Sequence, residues 1–178
     1  FGKASGFSAT MELSSLDGSN GFRLDGIAEN NYSGYSVSTA GDVNGDGFDD
    51  VIVGASRASP NGNESGSSYV VFGKASGFSA TMELSSLDGS NGFRLDGREE
   101  NDCSGLSVRT ASDVNGDGFD DVIVGAIGAH YAGPNGNWSG SSYVVFGKAS
   151  GFSATMELSG LDGSNGFRLD GVAAYDFS

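Results

Sequence analysis

With 178 residues, 31 of them glycine and 37% hydrophobic, the chain has one small domain's worth of sequence, with thin cores broken by many turns. Nine basic against 23 acidic residues give a net charge of −14, which argues against nucleic acid or anionic membrane as partners, because phosphate contacts need clustered Lys and Arg. A single cysteine rules out an internal disulfide, and no stretch is long and apolar enough to span a bilayer as a helix.

In chain order, the first landmark is a repeat. The segment Phe1–Gly26 returns unchanged at Phe72–Gly97, and again at Phe146–Gly171 with Gly160 in place of Ser15. Self-similarity over such a period points to a propeller or an array, in which no unit buries its faces alone. The organisation expected is the end of a preceding blade (1–26), a full repeat (27–97), a second full repeat (98–171) and the start of a following blade (172–178). The second repeat carries extra residues between Ala126 and Pro134, in a loop.

Each unit offers four short strands, so the class is all-β, with four-stranded antiparallel sheets as β-propeller blades, about two and a half repeats in all. The first unit places strands near Tyr35–Ala40, Asp50–Ala55, Ser67–Gly73 and Phe93–Asp96; the second places them near Leu106–Ala111, Asp121–Ala126, Ser141–Gly147 and Phe167–Asp170. No stretch carries a 3.6-residue apolar period, so no helix is expected. A long connector, Lys74–Asn91, joins the third strand to the fourth. Closed propellers have about four to eight blades, so this length does not close a ring alone; further chain or other copies would have to complete it.

Between the first and second strands lies the phrase Asp-Val-Asn-Gly-Asp-Gly-Phe-Asp-Asp, at 42–50 and again at 113–121. Alternating oxygen-bearing side chains on a tight turn suit a hard cation, which takes about six to eight oxygen ligands. The side-chain ligands expected are Asp42, Asn44, Asp46 and Asp50, with the carbonyl of Phe48; in the second copy they are Asp113, Asn115, Asp117 and Asp121, with the carbonyl of Phe119. Gly47 and Gly118 can take a positive φ without steric cost and let the chain double back. Three carboxylates so close repel one another by about 1 kcal/mol per pair at ~4 Å in water, and a divalent cation removes that cost. An EF-hand would need a bidentate Glu where Val53 and Val124 stand, in apolar runs that read as buried strands. The loop therefore feeds a strand. Ca²⁺, about two per chain, suits it better than Mg²⁺, which keeps several waters in a stiffer octahedron. Asp49 and Asp120 are expected outside the ligand set, facing solvent or backing it.

Other residues read more plainly. Cys103 holds the slot of Tyr32 and Phe177 and is an apolar filler. His130, the only histidine, is a loop residue, and Tyr131 and Trp138 are surface aromatics. Asn31, Asn63 and Asn137 sit in glycosylation-type sequons. The Leu-Asp-Gly-Ser-Asn-Gly-Phe phrase at 16–22, 87–93 and 161–167 has one carboxylate before its turn and reads as a connector built on Asp-Gly and Asn-Gly.

The acidic loop, followed at once by an apolar strand ending Gly54-Ala55 or Gly125-Ala126, resembles the FG-GAP repeat family, the calcium-binding blades of integrin α-subunit propellers and their bacterial relatives. Ser33-Gly34 and Ser104-Gly105 stand where that family has Phe-Gly. The resemblance covers essentially the whole chain. It implies a seven-bladed propeller, within the usual range of about four to eight, with Ca²⁺ between the first and second strands of a blade and an extracellular location. The function expected is a calcium-binding extracellular module for adhesion, recognition or structural assembly, meeting a protein or glycan partner and associating with itself through its incomplete terminal blades. A self-assembling ring or fibre subunit and a non-catalytic propeller accessory of a secreted enzyme are the alternatives. No nucleophile–base pair is visible, so no enzymatic activity is expected.

Overall fold

A computed structural model describes residues 1–2, 5–6, 8–129 and 138–177. The expectations for His130, Tyr131 and the Asn137 sequon fall outside these residues. Secondary structure is almost wholly β. Three turns of 3-10 helix, Leu13–Ser15, Leu84–Ser86 and Leu158–Gly160, are the only helical elements among the described residues.

The first full repeat forms β2 (Ser36–Gly41), β3 (Asp50–Ala55), β4 (Ser67–Val71) and β6 (Gly92–Asp96), an antiparallel sheet in that order. The second forms β7 (Ser107–Ser112), β8 (Asp121–Ala126), β9 (Ser141–Val145) and β11 (Gly166–Asp170) in the same order. These are two propeller blades in the places expected, their third strands ending at Val71 and Val145 and not at the following glycine. A bulge in each innermost strand, between Thr39 and Gly41 and between Thr110 and Ser112, re-aims the chain into the acidic loop.

The connectors, which carry no strand signal in the sequence, hold structure of their own. Thr81–Glu83 is β5, and it pairs parallel with β1 (Arg23–Asp25), the counterpart of β6 in the segment before the first full repeat. Thr155–Glu157 is β10, and it pairs in the same way with β6 of the first blade. Each connector thus reaches back to a strand of the repeat before it: β10 adds a fifth strand to the first blade's sheet, and β5 forms a two-stranded sheet with β1. Three-residue strands carry little propensity signal of their own; the pairing exists because the neighbouring blade offers an edge.

Period-two alternation sorts the strands' side chains onto two faces. Ile52, Val70, Phe93 and Leu95 of the first blade pack against Val122, Val124, Tyr143 and Val145 of the second. Val53, Tyr69 and Val71 face the other way, toward Leu24 on β1, with Leu84 and Leu87 closing that smaller core. Blade-on-blade packing is therefore the core, as repeat architectures require.

Candidate metal loops between the first and second strands

Each acidic loop spans a β-hairpin and folds on its own side chains. In the first, Asp42 Oδ1 and Oδ2 accept the amides of Asp46 (3.0 Å) and Gly47 (2.9 Å). Asn44 Oδ1 accepts the same Asp46 amide at 3.0 Å, while its Nδ2 donates to Asp46 Oδ2 at 3.0 Å. Asp46 Oδ1 accepts the Phe48 amide at 2.9 Å. The second loop repeats the pattern through Asp113, Asn115 and Asp117, with Asp113 Oδ1 also accepting from the Gly116 amide at 2.7 Å. Gly47 and Gly118 take φ of 87° and 92°, the left-handed turn expected of them.

The ninth residue behaves differently. Asp50 is buried, and its two oxygens accept amides from Val43 (3.0 Å) and from Gly73 (2.8 Å), which lies past the end of β4. Asp121 does the same with Val114 and Gly147, each at 2.9 Å. These carboxylates staple the loop to the chain leaving the third strand. Burial pushes the Asp50 carboxyl up to about 7; the amides of Gly73 and Val43 pull it down, and the charges of Asp46 and Asp42 push it further up. Asp121 is raised for the same reasons.

The structure thus ties Asp42, Asn44 and Asp46 into one ring of hydrogen bonds and sets Asp50 at the strand's mouth, with the second loop alike. Among the described residues, no three acidic, histidine or cysteine side chains converge tightly enough by themselves to hold a metal ion. The expected donor set does not depend on carboxylates alone, since it includes Asn44, Asn115 and the carbonyls of Phe48 and Phe119. In the first loop each carboxylate oxygen accepts one N–H and keeps a second lone pair beside it, whereas Asp113 Oδ1 in the second accepts two amides. An all-oxygen donor set, three carboxylates in one short loop and a buried acid facing like charges fit a hard divalent cation.

Asp120 was missed as a structural residue. Its Oδ2 accepts the Asp42 amide at 2.9 Å and its own amide donates to the Asp42 carbonyl at 3.1 Å, so it joins the two blades' loops directly. Beside it, the Phe119 ring lies over Gly45, where an added Cβ would come within 2.3 Å of the ring. The signal was present in the sequence as an acid beside each ninth ligand, but only blade packing shows what it meets.

A family model described as FG-GAP repeat matches residues 33–71. The chain is an FG-GAP repeat protein. It is 33% identical over 135 residues to integrin alpha-PS2 of Drosophila melanogaster, covering 73% of this chain and 9% of that protein. It is 37% identical over 93 residues to integrin alpha pat-2 of Caenorhabditis elegans (52% of this chain, 7% of the relative), and 33% over 109 residues to integrin alpha-5 of Xenopus laevis (59% and 9%). The FG-GAP chain therefore spans under a tenth of the length of these relatives, and the stretch that matches the family model, 33–71, holds the first acidic loop.

Proposed function

We propose that this chain is a calcium-binding extracellular module whose blades serve adhesion, recognition or assembly. The observation that carries the reading is the twice-built loop of Asp42–Asp50 and Asp113–Asp121, each at the mouth of a buried strand, with the two loops joined through Asp120. One ion would be held by Asp42, Asn44, Asp46, Asp50 and the Phe48 carbonyl, and a second by Asp113, Asn115, Asp117, Asp121 and the Phe119 carbonyl. Bound calcium supplies charge neutralisation and an oxygen-coordinated crosslink. The chain's own part is to fold the loop, bury its last acid, and join that loop to the next blade through Asp120. Likeness to integrin α subunits supports an adhesion-type role at the cell surface, with a protein or glycan as partner.

A catalytic role is not proposed. Burial, with the charges of Glu64 and Asp102, pushes the Cys103 thiol up, which leaves it a poor nucleophile at neutral pH.

The test is metal removal. Calcium at about 100 times its Kd stabilises by about 2.7 kcal/mol per independent site, so chelation is expected to lower the melting temperature and calcium to restore it. Elemental analysis should count two ions per chain, and Asp46→Ala or Asp117→Ala should each remove one. A melting curve unmoved by chelator on protein shown to be calcium-loaded would refute the proposal.

A further inference from the structure

We infer that the two acidic loops take up their ions cooperatively, with Asp120 as the residue that positions the first loop once the second is filled. This rests on the calcium binding proposed above and goes beyond it, since two such loops need not influence each other.

Three links run from the ligand set of the second loop to that of the first. Asp120 stands between two expected ligands, the Phe119 carbonyl and the Asp121 carboxylate. It grips both backbone groups of Asp42, an expected ligand of the first loop: its Oδ2 accepts the Asp42 amide at 2.9 Å and its own amide donates to the Asp42 carbonyl at 3.1 Å. The second link runs through the exit of β9. Asp121 Oδ1 accepts the Gly147 amide at 2.9 Å, and the next amide, that of Lys148, donates to the Val43 carbonyl at 2.9 Å. The Val43 amide in turn donates to Asp50 Oδ2 at 3.0 Å. The third link is the Phe119 ring, which lies against Gly45, between the expected ligands Asn44 and Asp46.

A loop loses conformational freedom when it closes on an ion. When the second loop is filled, the Phe119 carbonyl and Asp121 are fixed, and Asp120 is fixed between them. The first loop then closes against a brace already in place, so less freedom remains to be lost. Linkage makes the effect mutual: filling the first loop tightens the second by the same factor. Charge acts in the opposite sense, because an ion in one loop weakens the field that draws an ion to the other. Between exposed groups that repulsion is screened beyond ~8 Å at physiological salt, whereas the hydrogen bonds through Asp120 and Lys148 are direct contacts. The brace therefore sets the sign of the coupling.

The test is calcium titration by calorimetry on the 178-residue chain at about 0.15 M salt. Asp117→Ala empties the second loop and is expected to weaken calcium binding at the first at least about fivefold, the lower end of usual couplings. Asp46→Ala should weaken the second loop by the same factor. On an Asp120→Ala background, Asp117→Ala should weaken the first loop by less than half that factor. Asp120→Asn, whose side-chain oxygen can still accept the Asp42 amide, should retain the coupling and so separates the brace from the charge. Asn115→Ala, on the same exposed turn, serves if Asp117→Ala does not fold. Hydrogen exchange reads the brace without an affinity: in Asp46→Ala, calcium in the second loop alone should slow exchange of the Asp42 amide at least about fivefold, and Asp120→Ala should abolish that slowing. The inference is overturned if emptying the second loop leaves the first loop's affinity unchanged or tighter, or if Asp120→Ala keeps the coupling in full. Two ions bound independently would refute it and leave the proposed function standing, whereas a chain that binds no calcium would refute both.

Discussion

The strands β6 and β11 share the pentapeptide Gly-Phe-Arg-Leu-Asp, yet they are physically unlike. In β6 the sheet continues into β10, Phe152 stacks on Phe93, and the second blade covers Phe93 and Leu95 completely. In β11 the same side chains lie at a sheet edge, with Phe167 and Leu169 partly exposed. Local propensity is identical, so the difference isolates what a neighbouring blade contributes. It supplies a fifth strand, a third ring and the exclusion of water.

The largest expected effect tests the buried side of that comparison. Phe93→Ala should cost about 3–5 kcal/mol, because it empties a filled core site. Phe167→Ala should cost about 1 kcal/mol or less, as surface changes do. Urea unfolding of the two variants measures both, and equal losses would break the comparison.

The second contrast uses glycines of the same turn. Gly89 and Gly163 have φ of 92° and 93°, so alanine strains either by about 1–2 kcal/mol. At Gly89 a Cβ would also come within 2.2 Å of the Phe152 carbonyl, whereas nothing lies within 4 Å at Gly163. Gly89→Ala should therefore lower the melting temperature clearly more than Gly163→Ala.

A third measurement is hydrogen exchange. The amides of Arg23 and Arg94 donate to the carbonyls of Ala80 and Ala154, each at 2.9 Å, and Arg168 is their counterpart on β11. Its amide should exchange at least about tenfold faster than that of Arg94, a difference of about 1.4 kcal/mol in opening free energy.

The smallest effect is a control in which context should not matter. Asp17, Asp88 and Asp162 are each held below the usual carboxylate range, first by the hydroxyl and then by the amides of their own turn. Their folded pKa values lie below the unfolded one, so their contribution is present above about pH 4 and is lost as pH falls through the lowered values. Carboxyl titration by NMR should find the three alike, whichever blade flanks them.

Much of the fold was legible in the chain. The strands of both full repeats follow from continuous apolar runs such as Val51-Ile52-Val53 and from the glycines between them. The acidic phrase placed its own turn, because Asp and Asn side chains cap nearby amides and glycine tolerates positive φ. The 87–93 phrase proved a connector turn, with Asp88 Oδ1 accepting the Ser90 amide at 2.8 Å. β5, β10 and the bridging role of Asp120 were not legible, because a three-residue strand or an acid beside a ligand has no local pattern. Each is defined by a partner some 58 to 78 residues away, in another repeat.

What the sequence determined by itself is therefore local and repeated: which residues form strands, where the acidic loops fall, and which faces are apolar. Side-chain chemistry and backbone sterics act over a few residues and act alike in every copy. Tertiary structure alone decided which copy of an identical strand is buried and which loop is braced by its neighbour. Burial is a property of what packs alongside, and identical segments cannot encode different neighbours.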